Sequence, residues 1–234
     1  MSSRSVTSND LIVDIQCVFR WVNSVKYEDV SRYVEAFVGD GGSLLAWAYA
    51  KSLELGSEGV VPVDPPRGRF LELVARMARP RRILEIGSGA GYSGLWFLRG
   101  ATASARLDVV EFNPTVAREF EKVMTRAGYR KRIRIHHGPA LEVLPRLKGF
   151  YDCVFIDADK NEYPKYLRHS LRLTCPGSVI IADNLFWGGS VLSDQHREGA
   201  RSIHEYTRMI FKDKRLSSII VPLGDGLALS HRVK

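Results

Sequence analysis

Long apolar runs are missing from this chain of 234 residues. None approaches the roughly 18 consecutive apolar residues that a membrane-spanning helix needs, and the opening MSSRSVTSND has no apolar centre of the kind a secretory signal carries. A chain without a membrane segment, working in the cytoplasm, is the expectation. Cysteine is scarce: Cys17, Cys153 and Cys175 are odd in number, widely spaced and absent from any CxxC pair. That excludes a disulfide framework or a cysteine-built zinc site and predicts small buried side chains in a reducing compartment. There is also no acidic excess, since 34 Lys and Arg stand against 26 Asp and Glu, a net charge of +8. A basic balance admits a polyanionic partner such as RNA and says nothing about the fold. No low-complexity segment or simple repeat is present.

What is present is an ordinary globular composition, 45% hydrophobic and 26% charged, enough for one sizeable core in a single domain spanning 1–234. The first sixty residues have helical periodicity in LIVDIQCVFRWV, VSRYVEAFV and SLLAWAYAKSLEL, separated by breaks such as GDGG. They read as a helical N-terminal cap over 1–62. The prolines of VPVDPPRGRF then interrupt the chain, and FLELVARMA is expected as the next helix, ended by Pro80.

From Arg82 the pattern becomes short apolar runs alternating with helical stretches. The runs are RILEIG, ARLDVVE, RIRIHHG, YDCVFID, GSVIIAD, LSSIIVPL and GLALSHRV. Strands alternating with helices of this length build right-handed βαβ units on a mostly parallel sheet covered on both faces. The last two runs, joined by GDG, read as an antiparallel hairpin at the sheet edge. The expected fold is therefore α/β and Rossmann-like, with a seven-stranded sheet, and ligands are expected outside the carboxyl ends of its strands.

Most strong polar clusters of the second half fall at those ends. LEIGSGAGYSG places glycines where a strand turns into a helix, either to let a ligand approach the backbone closely or only to shape the turn. Glu85 beside the first glycine would repel a pyrophosphate but attract the ammonium of a methionine moiety. Glu111, ending the second strand, is placed to accept the hydroxyls of a ribose. The pair suits S-adenosylmethionine better than a nicotinamide cofactor. In HHGPALEVLP, Ala140 opens a helix whose backbone could meet an adenine edge.

YDCVFID ends at Asp157 and GSVIIAD at Asp183, with Asn184 next and Lys160 three residues beyond Asp157. Each aspartate alone could simply cap the helix that follows. Together, two carboxylates and an amide oxygen make a set of hard donors suited to a divalent cation such as magnesium. Positive charge beside a lysine disfavours its protonated form, so Lys160 becomes a candidate general base. Aromatic residues Phe19, Trp21, Trp47 and Tyr49 are expected mainly as core or subunit contacts. Trp187 could wall an acceptor pocket or pack its own loop.

These segments together resemble the class I, cation-dependent O-methyltransferases that include catechol and caffeoyl-coenzyme A O-methyltransferases. LEIGSGAGYSG is similar to the family's LEIG-x-x-x-GYS segment, and HHGPALEVLP to its G-x-A-x-x-x-L turn. FIDADKNEYPKY resembles DADK-x-x-Y, ADNLFWGGSV resembles DN-x-L-W-x-G, and PLGDGLALSHR resembles the closing P-x-x-DG-x-x-L hairpin. The resemblance begins near Val63 and implies that 63–234 form the cofactor-binding and catalytic core. It implies a metal held by Asp157, Asp183 and Asn184, with Lys160 as base. It implies S-adenosylmethionine held by Glu85, Gly87, Ser88 and Ser93 at the methionine end, Glu111 at the ribose and Ala140 at the adenine. Asp157 and Asp159 would lie near the cofactor, and Val63 would meet it through its backbone. The implied activity is methylation of a vicinal-diol, catechol-like hydroxyl on a small phenolic substrate by a homodimer. A hydroxylated nucleoside of tRNA is the alternative acceptor, with RKRIRIHH and ARPRR as candidate basic patches.

Overall fold

The computed structural model describes residues 27–193 and 197–234. The expected helix at 11–22, with Cys17, Phe19 and Trp21, lies outside the described residues. The chain falls into two units, one ending at Gly39 and the other running Asp40–Lys234. In the first, helix α1 (Tyr27–Val38) carries an Arg32–Asp29 ion pair at 2.6 Å and the rings of Tyr33 and Phe37, tilted against each other.

The second unit contains seven strands: β1 (Arg82–Ile86), β2 (Arg106–Glu111), β3 (Ile133–His137), β4 (Cys153–Ile156), β5 (Val179–Ala182), β6 (Leu216–Val221) and β7 (Leu227–Arg232). They form one sheet in the order β3-β2-β1-β4-β5-β7-β6. The first five are parallel, while β7 runs antiparallel to both β5 and β6. All seven apolar runs are strands, and the final two form the expected hairpin.

Side chains alternate along each strand, so each face takes every second residue. Leu84, Ile86, Val110, Val154, Ile156, Ile180 and Ala182 pack with Tyr163, Tyr166, Leu167, Ile203, Tyr206 and Ile210. Those partners come from α7 (Tyr163–Arg172) and α9 (Glu198–Lys212). Ile83, Val109, Cys153, Phe155 and Ile181 pack on the other face with Leu71, Leu95, Trp96, Phe97, Phe120 and Val123. These come from α3 (Pro65–Ala78), α4 (Tyr92–Gly100) and α5 (Pro114–Arg126). Phe97 is fully buried, so truncating it to alanine costs about 3–5 kcal/mol. Two short helices, α6 (Ala140–Val143) and α8 (Ser190–Ser193), complete the loops. Helix α2 (Ser43–Glu54) belongs to this unit as well.

One expectation is corrected. Pro65 and Pro66 do not interrupt the chain; they begin α3, with Asp64 as its N-cap accepting from Arg67 N. Proline fits the first helical turn because the N–H it lacks would have no partner there. The early start places Arg67 on the helix that faces the ends of β4 and β5. Of the cysteines, Cys153 is buried as expected and Cys175 is half-buried. Burial pushes the Cys153 thiol up to about 12.

Candidate active site

The strand order reverses between β1 and β4, which opens a crevice at their carboxyl ends. There the hydrogen-bond ladder continues one residue beyond the strands: Gly87 N donates to Val110 O, Asp157 N to Ile86 O and Asp183 N to Ile156 O, all near 3.0 Å. Extending the paired register sets Glu111, Gly87, Asp157 and Asp183 level on four neighbouring strands, about 4.8 Å apart. One residue carries no side chain. A β-carbon at Gly87 would lie 2.1 Å from the Asp157 carbonyl oxygen, and its φ of +85° also calls for glycine. The first glycine of the turn is thus required by the packing of β1 against β4.

Glu85 lies two residues below Gly87 on the same face, completely buried. Ser93, in the first turn of α4, donates to its Oε1, but Oε2 is buried without a partner. Burial pushes this carboxyl up to about 8, assisted by Asp157 and Glu111 and opposed by the Ser93 hydrogen bond. An orphaned buried acceptor is rare, and this one fits a cationic ligand group. Glu111 is held by Ser88 N and Oγ, each donating to Oε2 at 3.2 Å, and by Asn113 N donating to Oε1 at 3.0 Å. A carboxylate offers about four acceptor sites, so Oε1 keeps capacity for a hydroxyl. Gly138 N bonds Glu111 O, which brings the start of α6 at Ala140 beside the same strand end.

At the other end of the row, Lys160 Nζ donates to Asp157 Oδ1 and to Tyr163 Oη, both at 2.9 Å. The Tyr163 hydroxyl in turn donates to the Asp183 carbonyl at 2.9 Å. Burial, with Asp157 and Asp183 nearby, holds this phenol well above its ordinary value. Asp183 is 1% exposed and accepts from Arg67 Nη1 at 2.6 Å and from Asn184 N at 2.7 Å. Burial and the Asp157 charge push the Asp183 carboxyl up to about 6, against the pull of Arg67. Two like charges are therefore held together here with Arg67 and Lys160 as the cations beside them. Asn184 adopts φ +58°, and its amide nitrogen donates to Asp225 Oδ2 at 3.1 Å, which leaves its amide oxygen as a donor atom. The oxygen set of Asp157, Asp183 and Asn184 fits a hard divalent cation. Among the described residues no three His, Cys, Asp or Glu side chains gather as a metal group, and this set has only two carboxylates.

Not every expected residue joins the row. Asp159 is exposed and caps the turn at Lys160, accepting from Asn161 N. Val63 turns its side chain into the core, so only its backbone is available to a ligand. Trp187 packs on α9, where a β-carbon at Gly199 would meet its ring at 2.6 Å. Trp47 lies under the Arg126 guanidinium, and Tyr49 packs edge-on against Tyr92.

Arg67 was not singled out from the sequence, and Asp225 and Tyr163, though inside quoted motifs, were given no role there. Arg67 pairs with Asp183 across 116 positions and with Asp64 at 3.1 Å. Asp225 receives Gly188 N at 2.8 Å as well as the Asn184 amide, and so ties the hairpin to the loop after β5. Tyr163 joins Lys160 to Asp183. The DG of the hairpin turn was the one local signal for Asp225; nothing local signals Arg67.

The sequence profile of the O-methyltransferase family matches residues 51–233. Catechol O-methyltransferase of Niastella koreensis is 32% identical over 219 residues, covering 89% of this chain and 99% of the relative. Catechol O-methyltransferase of Mycobacterium tuberculosis is 34% identical, covering 86% and 94%. Among solved structures, an O-methyltransferase of Streptomyces achromogenes involved in tomaymycin synthesis, in complex with SAM, superposes with TM-score 0.78 at 28% identity, covering 88% of this chain and 96% of that one. The chain belongs to the class I O-methyltransferase family, enzymes that take their methyl group from S-adenosylmethionine.

Proposed function

We propose that this enzyme methylates one hydroxyl of a small vicinal diol of the catechol class, with S-adenosylmethionine as donor and a divalent cation, magnesium by preference, in the same site. The observation that carries this reading is the contact of Lys160 Nζ with Asp157 at 2.9 Å, beside the buried Asp183. An amine and two carboxylates side by side support a base and a metal site together. Two of the relatives are named catechol O-methyltransferase, which supports the acceptor class.

Asp157, Asp183 and the Asn184 amide oxygen would hold the cation, which when bound acidifies a coordinated hydroxyl and templates the acceptor. With the cation bound beside it, Lys160 in its neutral amine form would accept the proton from the acceptor hydroxyl, and Tyr163 holds the lysine nitrogen in place. Gly87, Ser88 and Ser93 surround the methionine end of the cofactor, with Glu85 meeting its ammonium. Glu111 accepts from the ribose, Ala140 stands at the adenine edge, and Asp159 and the Val63 backbone flank the bound cofactor. Fixing donor and acceptor in one line supplies much of the rate. Arg67 keeps Asp183 ionised and oriented.

A methyl-transfer screen of catechol-type diols, monophenols and bulk tRNA, with and without magnesium, tests the reading. Transfer to diols that requires magnesium is the expected result. Transfer to tRNA alone, or equal transfer to monophenols without the metal, contradicts it.

A further inference from the structure

On the sheet face opposite Glu85, the strands β1, β2 and β3 line a cavity of about 450 Å³, within the range of small-ligand pockets. Arg82, Asp108, Arg134 and His136 come to it from the strands, and Arg146 and Lys148 from the chain after α6. The register pairs Asp108 with Arg134 directly.

The charges here do not cancel. Asp108 is the one carboxylate in the lining and is already engaged, accepting from Arg82 Nη2 at 3.1 Å and from the Tyr151 hydroxyl at 2.6 Å. Arg82 is likewise satisfied, lying 4.2 Å over the Tyr151 ring. Arg134, Arg146 and Lys148 have no carboxylate partner among the described residues. His136 Nε2 is buried with no hydrogen-bond partner, 3.8 Å from Asp108 Oδ1. Three unpaired cations around one hollow, with His136 beside them and turned to Asp108, are a charge arrangement that an anion would complete. Arginine favours phosphate in particular, because its planar fork matches the oxygens.

We infer that this cavity is a second ligand site, separate from the methyl-transfer crevice, and that it binds a small molecule carrying a phosphate monoester or diphosphate. The cations Arg134, Arg146 and Lys148 grip the phosphate oxygens, and Asp108 with Tyr151 fixes the position of Arg82 beside them.

Calorimetric titration of the full-length protein with inorganic pyrophosphate at low ionic strength tests this. Saturable binding is expected, and the double variant Arg134→Ala/Arg146→Ala should weaken it about tenfold or more, the worth of a lost charge-assisted contact. Arg118→Ala, which removes one charge from exposed α5, should leave it unchanged. The pair Arg134→Lys/Arg146→Lys, which keeps both charges but loses the planar forks, should bind with an affinity between wild type and the alanine pair, which separates loss of charge from loss of fold. The inference is overturned if pyrophosphate does not bind saturably, or if Arg118→Ala weakens it as much. It is equally overturned if bulk tRNA binds through the same arginines while pyrophosphate does not.

Discussion

Glu85 and Asp108 are buried carboxylates on adjacent parallel strands, one register step apart and on opposite faces of the sheet. Burial works against the ionised form of both. At Glu85 nothing offsets it but the Ser93 hydroxyl, and the carboxyl rises to about 8. At Asp108 the neighbouring His136, Tyr151 and Arg82 outweigh burial and hold the carboxyl down at about 2. The difference lies in the company each face provides. One face gathers acids at the strand ends and supplies few cations; the other gathers cations around a single acid. On the readings proposed above, each would take a ligand of the opposite charge, a sulfonium cofactor and a metal ion on the first and a phosphate on the second.

The contrast can be broken most severely on the acidic face. Lys160→Ala removes the proposed proton acceptor and should lower kcat with a catechol by about 10²–10⁴-fold, with cofactor affinity little changed; steady-state kinetics and cofactor titration together check this. Arg67→Ala leaves Asp183 buried with only its neighbour's amide and should cost about 3–5 kcal/mol of stability, read from urea unfolding. Gly87→Ala forces both a positive φ and a contact with the Asp157 carbonyl. It should cost at least about 1–3 kcal/mol, visible as a lower melting temperature.

Proton linkage sharpens the same comparison with smaller effects of opposite sign. Glu85 has its ordinary value at 4.5 and a folded value near 8, so between these the native state binds the extra proton. Its contribution is fully present below pH 4.5 and is lost as pH rises towards 8, by at most about 1.4 kcal/mol per pH unit. Asp183 acts in the same direction only up to about 6. The Glu85 part is therefore read between pH 6 and 8, where Glu85→Gln should flatten the fall in stability of the ligand-free protein relative to wild type. Asp108, lowered from 3.8 to about 2, contributes stability that is present above 3.8 and lost as pH falls through 2. Asp108→Asn should remove that acid-side loss, a change of about 1–2 kcal/mol. Equal slopes in wild type and both variants would erase the contrast between the faces.

Much of this was legible in the sequence because the signals are local. Seven β-periodic runs predicted seven strands, and an acid at the end of a run predicted an acid at the sheet edge: Glu111, Asp157 and Asp183 stand level for that reason alone. Arg67 was not legible, because its partner lies 116 residues away and the prolines before it resemble a break as much as a helix start. Asp225 was hidden for a similar reason, since a hairpin turn accounts for it without any site. RKRIRIHH was visible as a basic run, but it could have been a solvated loop. That Arg134 and His136 share a hollow with Arg146 and Lys148 depends on the return of the chain after α6, which no spacing within the run encodes.

The central claim is that Asp157, Asp183 and Asn184, at the ends of β4 and β5, take up a divalent cation alongside the cofactor and that the enzyme so methylates a diol. The measurement that tests it most directly is the initial rate of methyl transfer from S-adenosylmethionine to catechol, before and after rigorous chelation, in wild type and Asp183→Asn. The account predicts that chelation abolishes wild-type transfer, that added magnesium restores it, and that Asp183→Asn remains inactive at the same magnesium level. A wild-type rate that survives chelation unchanged would contradict it.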